Sequence, residues 1–316
     1  MIKVRKLAKV YKFHGHPVPA VNGVDFDVAA GEIVGFLGPN GAGKTTTLRM
    51  LATLLRPTSG EAVVAGCDLL SDPAGVRRRI GYVGQGSGAG TEQRVVEELT
   101  MHARLYGLSA AGARTRVEEL LGEFELADAA TRQAGSLSGG QRRRLDIVMG
   151  VVHQPDLVLL DEPSTGLDPH SRGNLWEHIA KLRAQHGTTV FLTTHYLDEA
   201  DKLCDRILVT DHGTIVADGS ADELKARVAG DLVALETADP VATAEICGRL
   251  TDSKDVTVDG AGVSFRVPRG NKVLPGLLRE LDQAGVAVTS VQSHRPTLDD
   301  VFLTLTGRSL RDSTAG

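Results

Sequence analysis

Gly38-Pro39-Asn40-Gly41-Ala42-Gly43-Lys44-Thr45-Thr46 decides how the rest of the chain is read. The apolar run Ile33-Val34-Gly35-Phe36-Leu37 precedes it and predicts a buried strand, and Thr47 to Leu55 follows and predicts a helix. Strand, Gly-rich loop and helix form the setting in which this spacing makes a phosphate-binding loop. Glycines let backbone N–H groups curl around an oxyanion with no Cβ in the way. The helix N-terminus adds partial positive charge. Lys44 is placed to reach the outer phosphates of a nucleotide, and Thr45 to ligate Mg²⁺. A chance Gly-rich turn would require neither the lysine nor the flanking strand and helix.

Composition narrows the class. With 316 residues the chain has room for one large domain and a small one. Apolar content of 41% and charged content of 24% are those of a globular protein. A net charge of −5 leaves no bulk footprint for nucleic acid. Cys67, Cys204 and Cys247 have no paired spacing, which argues against a disulfide framework or a zinc site and fits a reducing cytosol. No apolar run approaches the ~20 residues that cross a bilayer. Met1 to Lys12 is basic without an apolar core, so it is not read as a signal peptide. A connection to a membrane must then run through a partner chain.

Along the chain, Ile2–Val10 and Val18–Val28 predict two strands ahead of the loop, hence a mixed α/β domain. Tyr11 offers a ring that either stacks on a nucleobase or is an ordinary aromatic. Ile80 to Gln85 predicts a strand ending in Gln85, and Thr91 to Thr131 a helical insert. Leu137-Ser138-Gly139-Gly140-Gln141 predicts a helix start in which Ser138 is the cap. It is either a plain capped helix or a second anion site built from free N–H groups. Leu157-Val158-Leu159-Leu160-Asp161-Glu162 predicts a strand buried on both faces, with two acids at its C-terminal end. Ligands bind there in open α/β sheets, so one acid suits a Mg²⁺ shell and the other a water poised for attack on a γ-phosphate; a structural cap is the alternative. Thr188 to Thr194 predicts another buried strand, and His195 at its end is a structural residue or a phosphate contact.

These pieces, in this order, resemble the ABC-type ATPases: the loop Gly38–Thr45, Gln85, Leu137–Gln141, Leu160-Asp161-Glu162-Pro163, Leu167-Asp168 and His195. The resemblance covers roughly residues 1–220 and implies ATP and Mg²⁺ as ligands. It implies that Lys44 and the loop backbone bind the β- and γ-phosphates. Thr45 and Gln85 would complete the Mg²⁺ shell, with Asp161 supporting it. Glu162 would polarise the attacking water, and His195 would contact the γ-phosphate. Tyr11 matches the aromatic that stacks on adenine. Ser138 and Gly140 would bind the γ-phosphate of ATP held by a second subunit, so that ATP draws two such domains into a homodimer, and Asp168 would carry communication between the two sites.

Beyond a linker at 221–230, residues 231–316 predict a strand, a helix, a hairpin, a helix and a strand. That order suits a small α+β, ferredoxin-like domain. The final helix, Thr297 to Arg308, is expected to bury Leu298, Val301, Phe302 and Leu305 on one face. Its Thr297-Leu298-Asp299-Asp300-Val301-Phe302 resembles the ending of the drug-resistance subgroup of ABC ATPases. This implies export of a hydrophobic compound through a separately encoded permease, with the chain on the cytoplasmic face of the membrane. The Gly-rich segment Gly86 to Gln93 departs from the family's usual sequence. A non-transport ABC ATPase of translation or DNA repair is the rival. A single phosphate loop, the absence of a long coiled coil and the acidic balance speak against it.

Overall fold

A computed structural model describes residues 1–227, 230–250, 252–307 and 309. The chain divides into two compact units, Met1–Ala221 and Asp222–Asp312. In the first unit, β1 (Ile2–Phe13) and β2 (His16–Val28) form a long antiparallel hairpin. With β4 (Ser59–Val64) and β5 (Cys67–Asp68) they make a four-stranded sheet in the order β2-β1-β4-β5. The second sheet has six strands. It contains β3 (Ile33–Leu37), β6 (Ile80–Val83), β7 (Leu157–Asp161), β8 (Thr189–Thr194), β9 (Arg206–Asp211) and β10 (Thr214–Gly219). Its order is β10-β9-β3-β8-β7-β6, parallel throughout except for the edge strand β10.

Both faces of the parallel sheet are buried, which is why its strands read as continuous apolar runs. The two-residue period sorts them. Val158 and Leu160 of β7, with Val190 and Leu192 of β8, face the helical core. Leu157, Leu159 and Phe191 face the antiparallel sheet, where Phe26 stacks on Phe191 with ring centroids 5.6 Å apart. On that second side lies α1 (Lys44–Leu51), which buries Leu48, Met50 and Leu51. It stops short of the expected Leu55: Thr53 takes φ +61°, and the N–H groups of Leu54 and Leu55 both return to the Arg49 carbonyl.

The helical side carries α3 (Val95–Leu105), α4 (Ala110–Glu123), α5 (Gly139–Val151) and α6 (Pro169–His186), while α2 (Pro73–Arg79) leads into β6. The short α7 (Leu197–Leu203), absent from the sequence reading, follows β8.

The second unit opens with α8 (Ala221–Ala226), whose first residue belongs to the first unit; it replaces the first half of the expected linker and buries Leu224. Then come β11 (Asp231–Thr237), α9 (Pro240–Arg249), β12 (Lys254–Asp259), β13 (Gly262–Val267), α10 (Gly270–Gln283), β14 (Val288–His294) and α11 (Leu298–Thr306). The sheet order β12-β13-β11-β14, antiparallel at every pairing, is the ferredoxin-like arrangement. In α11, Leu298, Val301 and Phe302 are buried, but Leu305 is 40% exposed, correcting its place on the expected core face. Arg308, at the far end of the expected tail helix, lies outside the described residues, as do 228, 229 and 251 and the stretch 310–316.

The two kinds of position separate energetically. Phe191→Ala should cost about 3–5 kcal/mol by emptying a buried aromatic site, whereas Leu305→Ala should stay within about 0.5 kcal/mol. Midpoints of urea unfolding check both, and equal losses would contradict the burial assignment.

Candidate active site

Four loops leave the carboxyl ends of four adjacent parallel strands, β3, β8, β7 and β6. The ladder sets Leu37 opposite Thr194, Asp161 opposite Thr193 and Val83 opposite Leu160, so the strands end at one level. The residues just past those ends are the phosphate loop, His195, Glu162 and Gln85.

The loop after β3 needs its glycines. Gly43 is the N-cap of α1 with φ +91°, and a Cβ there would lie 2.4 Å from the Ala20 carbonyl oxygen. A Cβ on Gly38 would lie 2.3 Å from the Thr210 carbonyl oxygen. Lys44 is 4% exposed. Its Nζ donates to the carbonyls of Gly38 (2.8 Å) and Pro39 (3.0 Å) and sits 3.3 Å from Glu162 Oε1. Burial pushes the Lys44 ammonium's pKa down, opposed by the charges of Glu162 and Asp161.

Asp161 ends β7 fully buried. Its Oδ1 accepts from Thr45 Oγ1 and from Thr193 Oγ1, each at 2.8 Å. Its Oδ2 is buried with no hydrogen-bond partner among the described residues. Gln85 Nε2 donates to Thr45 Oγ1 at 3.2 Å. Asp161 and Gln85 thus meet on the Thr45 hydroxyl, and a carboxylate with one unsatisfied buried oxygen, a hydroxyl and a side-chain amide are groups that suit a hard divalent cation such as Mg²⁺.

Glu162 adopts φ +47°, a left-handed conformation that costs a non-glycine residue of the order of 1 kcal/mol. Its N–H is held by the carbonyl oxygen and the Oγ1 of Thr193. His195 Nδ1 lies 3.3 Å from Glu162 Oε2, close enough to favour the carboxylate though not in the geometry of a regular hydrogen bond. Burial alone would raise the Glu162 carboxyl, but the His195 contact and then the Lys44 charge outweigh it and bring its pKa down to about 2.

Lys44, Thr45, Gln85, Asp161, Glu162 and His195 therefore meet in one cluster. Tyr11, Ser138 and Gly140 do not join it: among the described residues no hydrogen bond or ion pair links them to it. Tyr11 is 41% exposed on the β1–β2 hairpin, with Lys9 Nζ 5.5 Å from its ring centroid. Ser138 caps α5 in a reciprocal box with Gln141, as its sequence position predicts. Gly140 lies where α5 approaches α6, and a Cβ there would come within 2.9 Å of Ser171 Oγ. Asp168 caps α6 through the Ser171 N–H.

Two residues escaped the sequence reading. Thr193, inside an apolar strand, binds both Asp161 and Glu162; a hydroxyl in a doubly buried strand was the available signal. Arg143, 8% exposed on α5, donates to the carbonyls of Pro163 (2.7 Å), Gly84 (2.7 Å) and Asp161 (3.1 Å). It is the middle of three arginines, and only the helical period distinguishes it from its neighbours.

The family model "ABC transporter" matches residues 21–165, and "ATP-binding protein DrrA1-3-like, C-terminal domain" matches 219–306. The daunorubicin/doxorubicin resistance ATP-binding protein DrrA of Streptomyces peucetius is 44% identical over 315 residues, covering 98% of this chain and 94% of the relative. The chain belongs to the ABC transporter ATP-binding proteins. A further relative of this ABC protein is the Nod factor export ATP-binding protein I of Burkholderia orbicola (strain AU 1054), 37% identical over 302 residues, covering 92% of this chain and 93% of the relative. Among solved structures, the dimeric post-hydrolysis state of the ATP-binding cassette MJ0796 bound to ADP and Pi superposes with a TM-score of 0.64 at 27% identity. It covers 70% of this chain and 98% of that one. This ABC protein is accordingly an ATP-binding ATPase of the transporter class.

The depressed Glu162 carboxyl carries a stability signature. Its folded value lies below the ordinary 4.5, so the stability it contributes is fully present above 4.5 and is lost as pH falls toward about 2. Urea unfolding across that window should show wild type more stable than Glu162→Gln at neutral pH, with the gap closing on acidification. A gap independent of pH would contradict this charge arrangement.

Proposed function

We propose that this ABC protein is the energy-supplying subunit of an exporter, working as an ATP-induced homodimer on a separately encoded permease that moves a hydrophobic compound. The observation that carries the proposal is the meeting of Lys44, Thr45, Gln85, Asp161, Glu162 and His195 at the ends of four neighbouring strands. The near full-length likeness to proteins named for drug resistance supports the transport part.

In this reading the loop N–H groups from Gly38 to Thr46 cradle the phosphates, and the outer phosphates take over the Lys44 ammonium. Tyr11 offers its half-open ring to adenine. Mg²⁺ would be held by Thr45, Gln85 and Asp161, and would neutralise charge on the outer phosphates. As Lys44 turns to phosphate, Glu162 loses a cation that holds its proton affinity down and becomes a better acceptor for a water proton. His195, next to Glu162, contacts the γ-phosphate.

Ser138 and Gly140, set apart from the cluster on their own chain, present a helix N-terminus to the nucleotide of a second copy. ATP then favours the closed pair, and loss of phosphate removes that differential affinity. The chain acts from the cytoplasmic face of the membrane through its permease; no described helix is long and apolar enough to cross a bilayer. Nucleic acid has no place in this reading, in keeping with the net charge of −5.

Glu162→Gln should bind MgATP near wild-type affinity and lower hydrolysis by about 100-fold or more, accumulating as a dimer in sedimentation. Lys44→Ala should lose nucleotide binding. Normal turnover in Glu162→Gln would remove the catalytic assignment, and co-purification with ribosomal or DNA-bound proteins instead of a multi-span membrane protein would remove the transport assignment.

A further inference from the structure

We infer that Arg143 and Asp146 form a clamp on one face of α5 that positions Gln85 and Glu162 for hydrolysis, an inference that rests on the site reading above. The two residues stand three apart, so they share a helix face. Both are buried, at 8% and 7% exposure, with Arg143 Nη1 4.0 Å from Asp146 Oδ2.

The clamp grips the segment after β6 at both ends. Arg143 holds the Gly84 carbonyl at 2.7 Å. Asp146 Oδ1 accepts from Ser87 Oγ at 3.0 Å and from the Gly88 N–H at 2.9 Å. Gln85 lies between these anchors, with its amide on Thr45. The same guanidinium reaches across to the end of β7. It donates to the carbonyls of Asp161 (3.1 Å) and Pro163 (2.7 Å), and more distantly to that of Glu162 (3.5 Å). Those carbonyls flank the one strained residue of the cluster, Glu162 at φ +47°. Thr193 fixes the N–H side of Glu162 and Arg143 the carbonyl side.

Burying a guanidinium and a carboxylate is an expensive way to pack a helix on loops, since apolar residues of similar volume do so without desolvating charge. The groups this pair grips explain the expense, because they belong to the two segments that carry Gln85 and Glu162. The planar guanidinium spreads its donors over a fixed fork that reaches carbonyls on both segments, whereas an ammonium gathers its three donors at a single nitrogen. Because Ser138 begins the same helix, a shift of the helix start on meeting a second subunit's nucleotide is transmitted to both catalytic segments through these two side chains. Arg143 and Asp146 are therefore positioning residues, one step removed from the reacting atoms.

The experiment uses the full chain carrying Arg143→Lys or Asp146→Asn, with thermal melting, fluorescent MgATP-analogue binding and steady-state ATP hydrolysis measured on each. Arg143→Lys should bind nucleotide within about threefold of wild type and keep KM, while kcat falls by about 30- to 100-fold, the size of effect a misplacement near 1 Å produces. Asp146→Asn keeps an acceptor oxygen, so its kcat should fall less, with binding again unchanged. Wild-type kcat in Arg143→Lys, or parallel losses of binding and hydrolysis in a folded variant, would overturn the inference. If Arg143→Lys does not fold, Asp146→Asn decides: a selective loss of kcat supports the clamp and an unchanged kcat overturns it. Lys44→Ala and Glu162→Gln run alongside, and normal hydrolysis in either would fault the underlying site reading instead of the clamp.

Discussion

The site depends on parallel pairing in register. Five parallel strands share one hydrogen-bond ladder, and among the four that carry the functional loops a slip of one residue would turn every side chain to the opposite face. Burial on both faces forbids that slip, because Phe191 would leave the aromatic cluster while Val190 and Leu192 would leave the helical core. The apolar strands thereby act as a fixed bench. Chemistry-bearing residues are appended one or two positions past the end of that bench, where backbone pairing stops and side chains are released toward one point.

Charge is arranged on that bench by mutual compensation. Lys44, Asp161 and Arg143 are buried, which isolated ions would not tolerate. Each is tied to backbone carbonyls, hydroxyls or an opposite charge, and the exception is a single oxygen of Asp161. Of the two cluster atoms left without a hydrogen bond among the described residues, Asp161 Oδ2 and His195 Nδ1, the carboxylate oxygen is the one a cation would satisfy. The polarity of the arrangement is also set locally: Lys44 stands at a helix N-terminus, a poor place for a cation, and is held there by carbonyls and Glu162 instead of by the helix.

Much of this was legible in the chain. Spacing and apolar runs located β3, β7 and β8, the Ser138 cap and the strand-helix order of the second unit, because each rests on a local rule of period or capping. Sequence resemblance supplied what no local rule could: that Gln85 and His195 converge with Lys44 from positions far apart in the chain. Residues whose roles arise only from tertiary contact stayed hidden. Arg143 looks like its neighbours Arg142 and Arg144 until β6 and β7 are brought beneath it, and Thr193 looks like any β-branched strand residue. Leu305 was misplaced because 3,4-spacing extends a face to the helix end, where the last turn of α11 is in fact open. The expected linker yielded to α8 for a similar reason, since a short helix of six residues has too little period to read.

The left-handed backbone of Glu162 bears on how such a protein drifts and how it can be stabilised. Glycine or asparagine suits that conformation, and a survey of substitutions ranked by folding free energy alone would favour them there. Selection for a rigid, durable molecule and selection for turnover therefore pull this position in opposite directions. Heat-selected libraries of this chain would tend to discard the carboxylate first, so a screen for robustness needs an activity gate to keep it.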